Sequence, residues 1–159
     1  MTPTERAARA VLDAYAAGEL ERLRDLVTAD FIDHGLPPGT VPPGSDGYIA
    51  TLGFVRAVLR ASYEVHEVVA SGDHVAIRAT VHGVHNSDYL GVPATGKPFA
   101  MPTMHLYRGE GDLLAEHCGV RDELSVLRQV GAIEPPRLPD LSAELAGSAP
   151  SPSPSPSRQ

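Results

Sequence analysis

The chain has 159 residues, 42% of them hydrophobic and 5% aromatic, and carries a net charge of −7. A single domain of this length buries about 70% of the surface its unfolded chain exposes, which leaves room for a core and a pocket. Its acidic surface repels phosphate backbones, so no nucleic acid is expected as a partner; no stretch approaches the roughly 18 apolar residues of a membrane span.

Thr2-Pro3-Thr4-Glu5 reads as a capping box with proline at the first helical position. Ala8, Val11, Leu12 and Tyr15 recur at helical spacing, and Gly18 ends that helix. Leu20, Leu23, Leu26 and Val27 mark a second, short helix. The Pro/Gly-rich stretch FIDHGLPPGTVPPGSDG reads as a connector that begins with the apolar pair Phe31 and Ile32. Ser45 then caps a third helix whose apolar face is Ile49, Leu52, Val55, Val58 and Leu59.

From Tyr63 the period changes to two. Four strands are predicted, near 63–70, 74–82, 99–108 and 113–120, with Ser71-Gly72-Asp73 and Gly109-Glu110-Gly111-Asp112 as turns. A last helix spans about Glu123–Val130 and stops at Gly131. Helices first and antiparallel strands after argue an α+β fold, a curved antiparallel sheet packed on the N-terminal helices with a pocket inside. One domain over 1–134 is expected. Residues 135–159, rich in Pro, Ser and Ala, read as a disordered tail, with at most a transient turn near Leu141–Leu145. The N-terminus lacks the basic start and apolar run of a signal peptide. The lone cysteine, Cys118, leaves no intrachain disulfide and fits the cytoplasm.

On the residues alone, alternation in the last strand puts Glu116, Cys118, Val120 and Asp122 on one face and His117, Gly119 and Arg121 on the other. Asp122 then reads as the N-cap of the last helix. His105 shares a strand face with Met101, Thr103 and Tyr107, either as a core histidine or as a site residue. His117 reads as facing solvent or a dimer partner. Glu116 either faces the pocket or pairs with Arg78, and Arg78 is the alternative contact for a substrate carbonyl or carboxylate. His82 and His85, three apart on a strand, point to opposite faces and complete no metal set. GVPATGKPF lacks the spacing of a P-loop, and no G-x-S-x-G elbow is present.

Three stretches carry a resemblance. DHGLPPGTVPPGSDGY (33–48), VAIRATVHGVHNSDYLGVPATGKPF (75–99) and HLYRGEGDLLAEHCGVRDELSVLRQVGA (105–132) resemble the SnoaL-like polyketide cyclases of the nuclear-transport-factor-2-like (ketosteroid-isomerase-like) superfamily. The resemblance covers about residues 5–132. It implies a cone-shaped α+β barrel, often a homodimer through the open sheet face, and cofactor-free acid/base chemistry on a small hydrophobic polyketide-like substrate. It implies Asp122 as the acid/base, with His105 and His34 supplying hydrogen bonds. Tyr15, Phe54, Arg78, Met101, Met104, Glu116 and Cys118 are the expected substrate contacts. Cys118 stands where the family usually has Trp, which implies an altered cavity. The expected reaction is an aldol-type ring closure in secondary metabolism. The alternatives are isomerisation, dehydration, epoxide opening, a shape-directed pericyclic cyclisation, or a non-catalytic binding module.

Overall fold

The computed structural model describes residues 1–135, 137 and 140–142. The tail expected over 135–159 otherwise lies outside the described residues. Helix α1 (Pro3–Ala17) opens as the capping box requires, with the Thr2 hydroxyl accepting from the Glu5 amide at 3.1 Å. It ends at Gly18, whose left-handed φ of 78° lets its amide reach the last carbonyls. A 3-10 helix (Leu20–Asp25) follows. Strand β1 (Val27–Asp33) and helix α2 (Gly44–Leu59) come next. Strands β2 (Ser62–Ser71), β3 (His74–Val84), β4 (Pro98–Glu110) and β5 (Leu113–Arg121) lead to helix α3 (Glu123–Gln129).

The sheet order is β1-β5-β4-β3-β2. Three antiparallel pairings join β2 to β5, as alternation predicts, but β1 adds a parallel edge against β5, so the sheet is mixed. Two local expectations change with it. Val27 begins β1 rather than ending a helix, and Phe31 and Ile32 are strand residues rather than the start of a connector. Pro43, not Ser45, precedes the first turn of α2, with no side-chain cap.

Helices α1 and α2 cover the concave face. The main core joins Ala8, Val11 and Tyr15 of α1, Tyr48 and Leu52 of α2, and Val75, Ile77 and Tyr107 of the sheet. A second cluster packs Val126 and Val130 onto Leu59, Val81, Phe99 and Met101. No helix among the described residues is long and apolar enough to cross a membrane.

Candidate active site

Between the helices and the concave face lies a cavity of about 400 Å³. That falls in the usual range for small-molecule sites. Leu12 and Tyr15 of α1, Leu52, Phe54 and Val55 of α2, and Ile77, Val81 and Met101 of the sheet make most of its wall apolar. Polar groups converge at one end: Asp33, His105, His117, Tyr107 and Arg121.

Register explains their convergence. Asp33 is paired with His117 across the parallel β1–β5 edge, and His117 is paired with Tyr107 across the β5–β4 ladder. His105 lies opposite Gly119, one step further along. A Cβ on Gly119 would sit 3.1 Å from the His117 ring and 3.4 Å from His105 Nδ1, so the missing side chain gives the two imidazoles their space. They stand with centroids 5.2 Å apart, and Tyr107 stacks on His117 at 4.7 Å.

The side chains form one chain of hydrogen bonds. Asp33 Oδ1 accepts from the Gly35 amide at 2.9 Å, an Asx turn, and lies 3.0 Å from His117 Nδ1. His117 Nε2 lies 2.9 Å from His105 Nδ1, and His105 Nε2 lies 3.1 Å from Thr103 Oγ1. The Thr103 hydroxyl donates to the Ala79 carbonyl at 3.2 Å. Burial alone would raise the Asp33 carboxyl, but the hydrogen bond and charge of His117, the Gly35 amide and Arg121 outweigh it and hold it below the ordinary value. Burial first, then the charges of His117 and Arg121, push His105 down to about 3. Tyr48 and Tyr107, bonded hydroxyl to hydroxyl at 2.9 Å, are buried and raised well out of the physiological range, so both stay protonated.

Arg121 and Glu123 line the same cavity. Arg121 donates to the Gly35 carbonyl at 3.1 Å and pairs with Glu123 at 3.5 Å. Tyr89 donates to Glu123 at 3.0 Å. These contacts tie the Asp33–Gly35 turn and the segment between β3 and β4 to the start of α3.

The residues expected from sequence divide into two groups. Tyr15, Phe54, Met101 and His105 line the cavity. Asp122 does not: it is exposed and caps α3, accepting from the Ser125 amide at 2.9 Å. His34 is also outside, bonded at 3.1 Å to Glu116, which Arg108 holds at 2.6 Å. Glu116 therefore pairs with Arg108 rather than Arg78, whose nearest acid is Glu67 at 3.4 Å. Arg78, Met104 and Cys118 are exposed on the convex face. His117, expected to face solvent or a partner, is 5% exposed and points inward. His82 is paired with Glu64 on the surface, while His85 is buried against Thr95.

One physical reason covers most of these corrections. After an irregularity at Leu114–Ala115, β5 alternates from Glu116 onward but inverts the usual sense, with His117 and Arg121 inward and Cys118 and Val120 outward. Reading Asp33 as part of a connector hid the carboxylate that does enter the cavity. The available signal was the triplet Asp33-His34-Gly35, an Asx turn closing a short strand. As a cap alone, Asp122 is worth about 1 kcal/mol. Asp122→Ala is expected to lower the melting temperature by a few degrees, read by thermal denaturation, and to leave turnover unchanged.

Comparison with known proteins agrees with this architecture. The chain is 24% identical over 134 residues to the aklanonic acid methyl ester cyclase DauD of Streptomyces sp. (strain C5), covering 82% of this chain and 83% of that protein. It is 24% identical over 126 residues to the aklanonic acid methyl ester cyclase DnrD of Streptomyces peucetius, covering 77% and 87%. The crystal structure of IdmH from Streptomyces antibioticus superposes with a TM-score of 0.70 at 29% identity, covering 82% of this chain and 99% of that one. Residues 5–130 match the family profile described as SnoaL-like polyketide cyclase, and the chain belongs to that family.

Proposed function

We propose that this protein closes a ring in a polyketide by an intramolecular aldol reaction, with Asp33 as the acid/base. The observation that carries this reading is the state of Asp33. One oxygen is fully engaged by His117 and Gly35, and the other makes no hydrogen bond among the described residues, in a cavity walled mostly by apolar groups. Asp33 takes a proton from a carbon flanked by two carbonyls. The C–H electron pair moves into the enolate, whose carbon attacks a second carbonyl of the same molecule. The new C–C bond leaves an alkoxide, which recovers the proton from Asp33. A carboxylate held below its ordinary value is a weak base, so the enolate oxygen needs donors. Arg121 and the protonated tyrosines are the groups at hand. The apolar walls fold the flexible substrate into an attacking geometry. The relatives named as methyl ester cyclases make a linear polyketide methyl ester a suitable assay substrate.

The test is conversion of such a linear ester by the purified protein, followed by mass spectrometry and NMR of the product. A cyclic isomer of unchanged mass supports the reading. A product changed by loss or gain of water points instead to dehydration or epoxide opening.

The convex face supports a homodimer. Val69, Ala76, Leu106 and Cys118 form one row across β2, β3, β4 and β5, with Met104 and Val120 in the next row, which continues into the Arg78–Glu67 ion pair. Val120 is 69% exposed in the single chain. A contiguous apolar patch of this kind marks an interaction surface, and a second copy of the chain covers it. Val120→Glu is expected to shift the protein from dimer to monomer in analytical ultracentrifugation; a wild-type monomer would refute the assembly. We assign the protein to the cytoplasm, where the lone Cys118 thiol stays reduced.

A further inference from the structure

The hydrogen-bond chain behind Asp33 ends in groups that can only accept. At one end is the Ala79 carbonyl, at the other the Asp33 carboxylate. Thr103 has one hydroxyl proton, and it goes to Ala79 at 3.2 Å. Thr103 must then accept from His105, which places the His105 proton on Nε2. Burial keeps His105 neutral, so its Nδ1 carries a lone pair. His117 Nε2, 2.9 Å away, must donate to it. His117 Nδ1 must also donate, because Asp33 Oδ1 already takes the Gly35 amide proton and acts as a double acceptor.

We propose that Thr103 is a positioning residue that fixes His105 as its Nε2–H tautomer and so makes His117 donate from both ring nitrogens, a cation set beneath Asp33. The surroundings suit such a cation. Tyr107 stacks on His117 from β4, Tyr48 lies at 5.9 Å from α2, and Asp33 faces it from β1. Arg121 of β5, Glu123 beside it at the start of α3, Tyr89 bonded to Glu123, Tyr63 of β2 and Tyr15 of α1 are the remaining titratable groups lining this cavity.

The inference builds on the assignment of Asp33 as acid/base and adds the charge that assignment lacks. When Asp33 takes the substrate proton, its own charge is neutralised and the positive charge on His117 remains. The enolate then forms against a counter-charge that was present before the reaction, with no reorganisation needed.

The experiment is an imidazole nitrogen-15 NMR spectrum of the full-length wild-type protein labelled at histidine, recorded at neutral pH without substrate. His105→Gln assigns the His105 signals. The expected spectrum shows His105 protonated at Nε2 only and His117 protonated at both nitrogens. Thr103→Ser is expected to keep that pattern. Thr103→Val removes the acceptor and is expected to move the His105 proton to Nδ1. With it, kcat should fall at least about tenfold while KM stays within about twofold. A wild-type spectrum with His105 protonated at Nδ1 and a bare His117 Nε2 overturns the inference. That outcome leaves the role of Asp33 standing, whereas an active Asp33→Asn variant removes that role and leaves the spectrum as it is.

Discussion

Asp33→Asn is expected to reduce turnover by roughly 10²- to 10⁴-fold, the usual worth of a positioned general acid/base. Asparagine keeps the size and planarity of the side chain. Its amide oxygen can still accept from His117 and Gly35, which reach Asp33 at 3.0 and 2.9 Å. What disappears is the second carboxylate oxygen, replaced by an amino group that cannot take a proton. Substrate contacts with the apolar wall are untouched, so KM is expected to change little and kcat to carry the loss. The assay is cyclisation of a linear polyketide ester, run beside Asp122→Asn at equal folded concentration. Loss confined to the Asp33 variant supports the assignment. Wild-type rates in the Asp33 variant would show that the cavity directs cyclisation by shape alone.

The second large effect is on acid stability. His105 is held at about 3 in the folded chain, against about 6.5 when unfolded. Between those values the unfolded state binds a proton that the folded state refuses. Stability therefore falls as pH falls, by up to about 1.4 kcal/mol per unit, or about 4 kcal/mol by pH 3. Asp33 acts in the same direction over a lower window: its folded value is below the ordinary one, so its contribution is complete above the ordinary value and is lost as pH drops through the folded value. Urea unfolding at pH 7, 6, 5 and 4 reads the slope. Replacing His105 with asparagine is expected to flatten it by about one proton. Equal slopes in the two proteins would rule out the buried neutral histidine.

The helices and strands β2 to β5 were legible because their periods are clean and their turns carry Gly and Asp where needed. β1 was not. VTADFID alternates poorly, and its partner β5 lies some eighty residues away, so no local turn announces the pairing. Side-chain facing failed for a different reason. Local pattern fixes which residues share a face, and it set Glu116, Cys118 and Val120 apart from His117 and Arg121 correctly. It cannot say which face is inside when the polar end of a cavity lies on one side and apolar side chains lie on the other. Here Val120 and Met104 look like core, and His117 and Arg121 look like surface. The inversion fits a strand with polar groups facing the cavity and apolar groups facing out. His34 drew attention for a similar reason: the histidine in the loop looked like chemistry, while the strand-ending aspartate beside it entered the cavity.

The parallel edge has a consequence for how the protein is made. Asp33 leaves the ribosome long before its partner His117, 84 positions later, so their contact forms only after the intervening chain has been made. A chain halted anywhere before β5 has α1, α2, most of the cavity wall and Asp33, but not the imidazole of His117 that holds it. The proposed site is therefore assembled only when the last strand docks beside the first. The first and last strands of the chain thus meet side by side, and the groups that hold Asp33 are among the last to arrive.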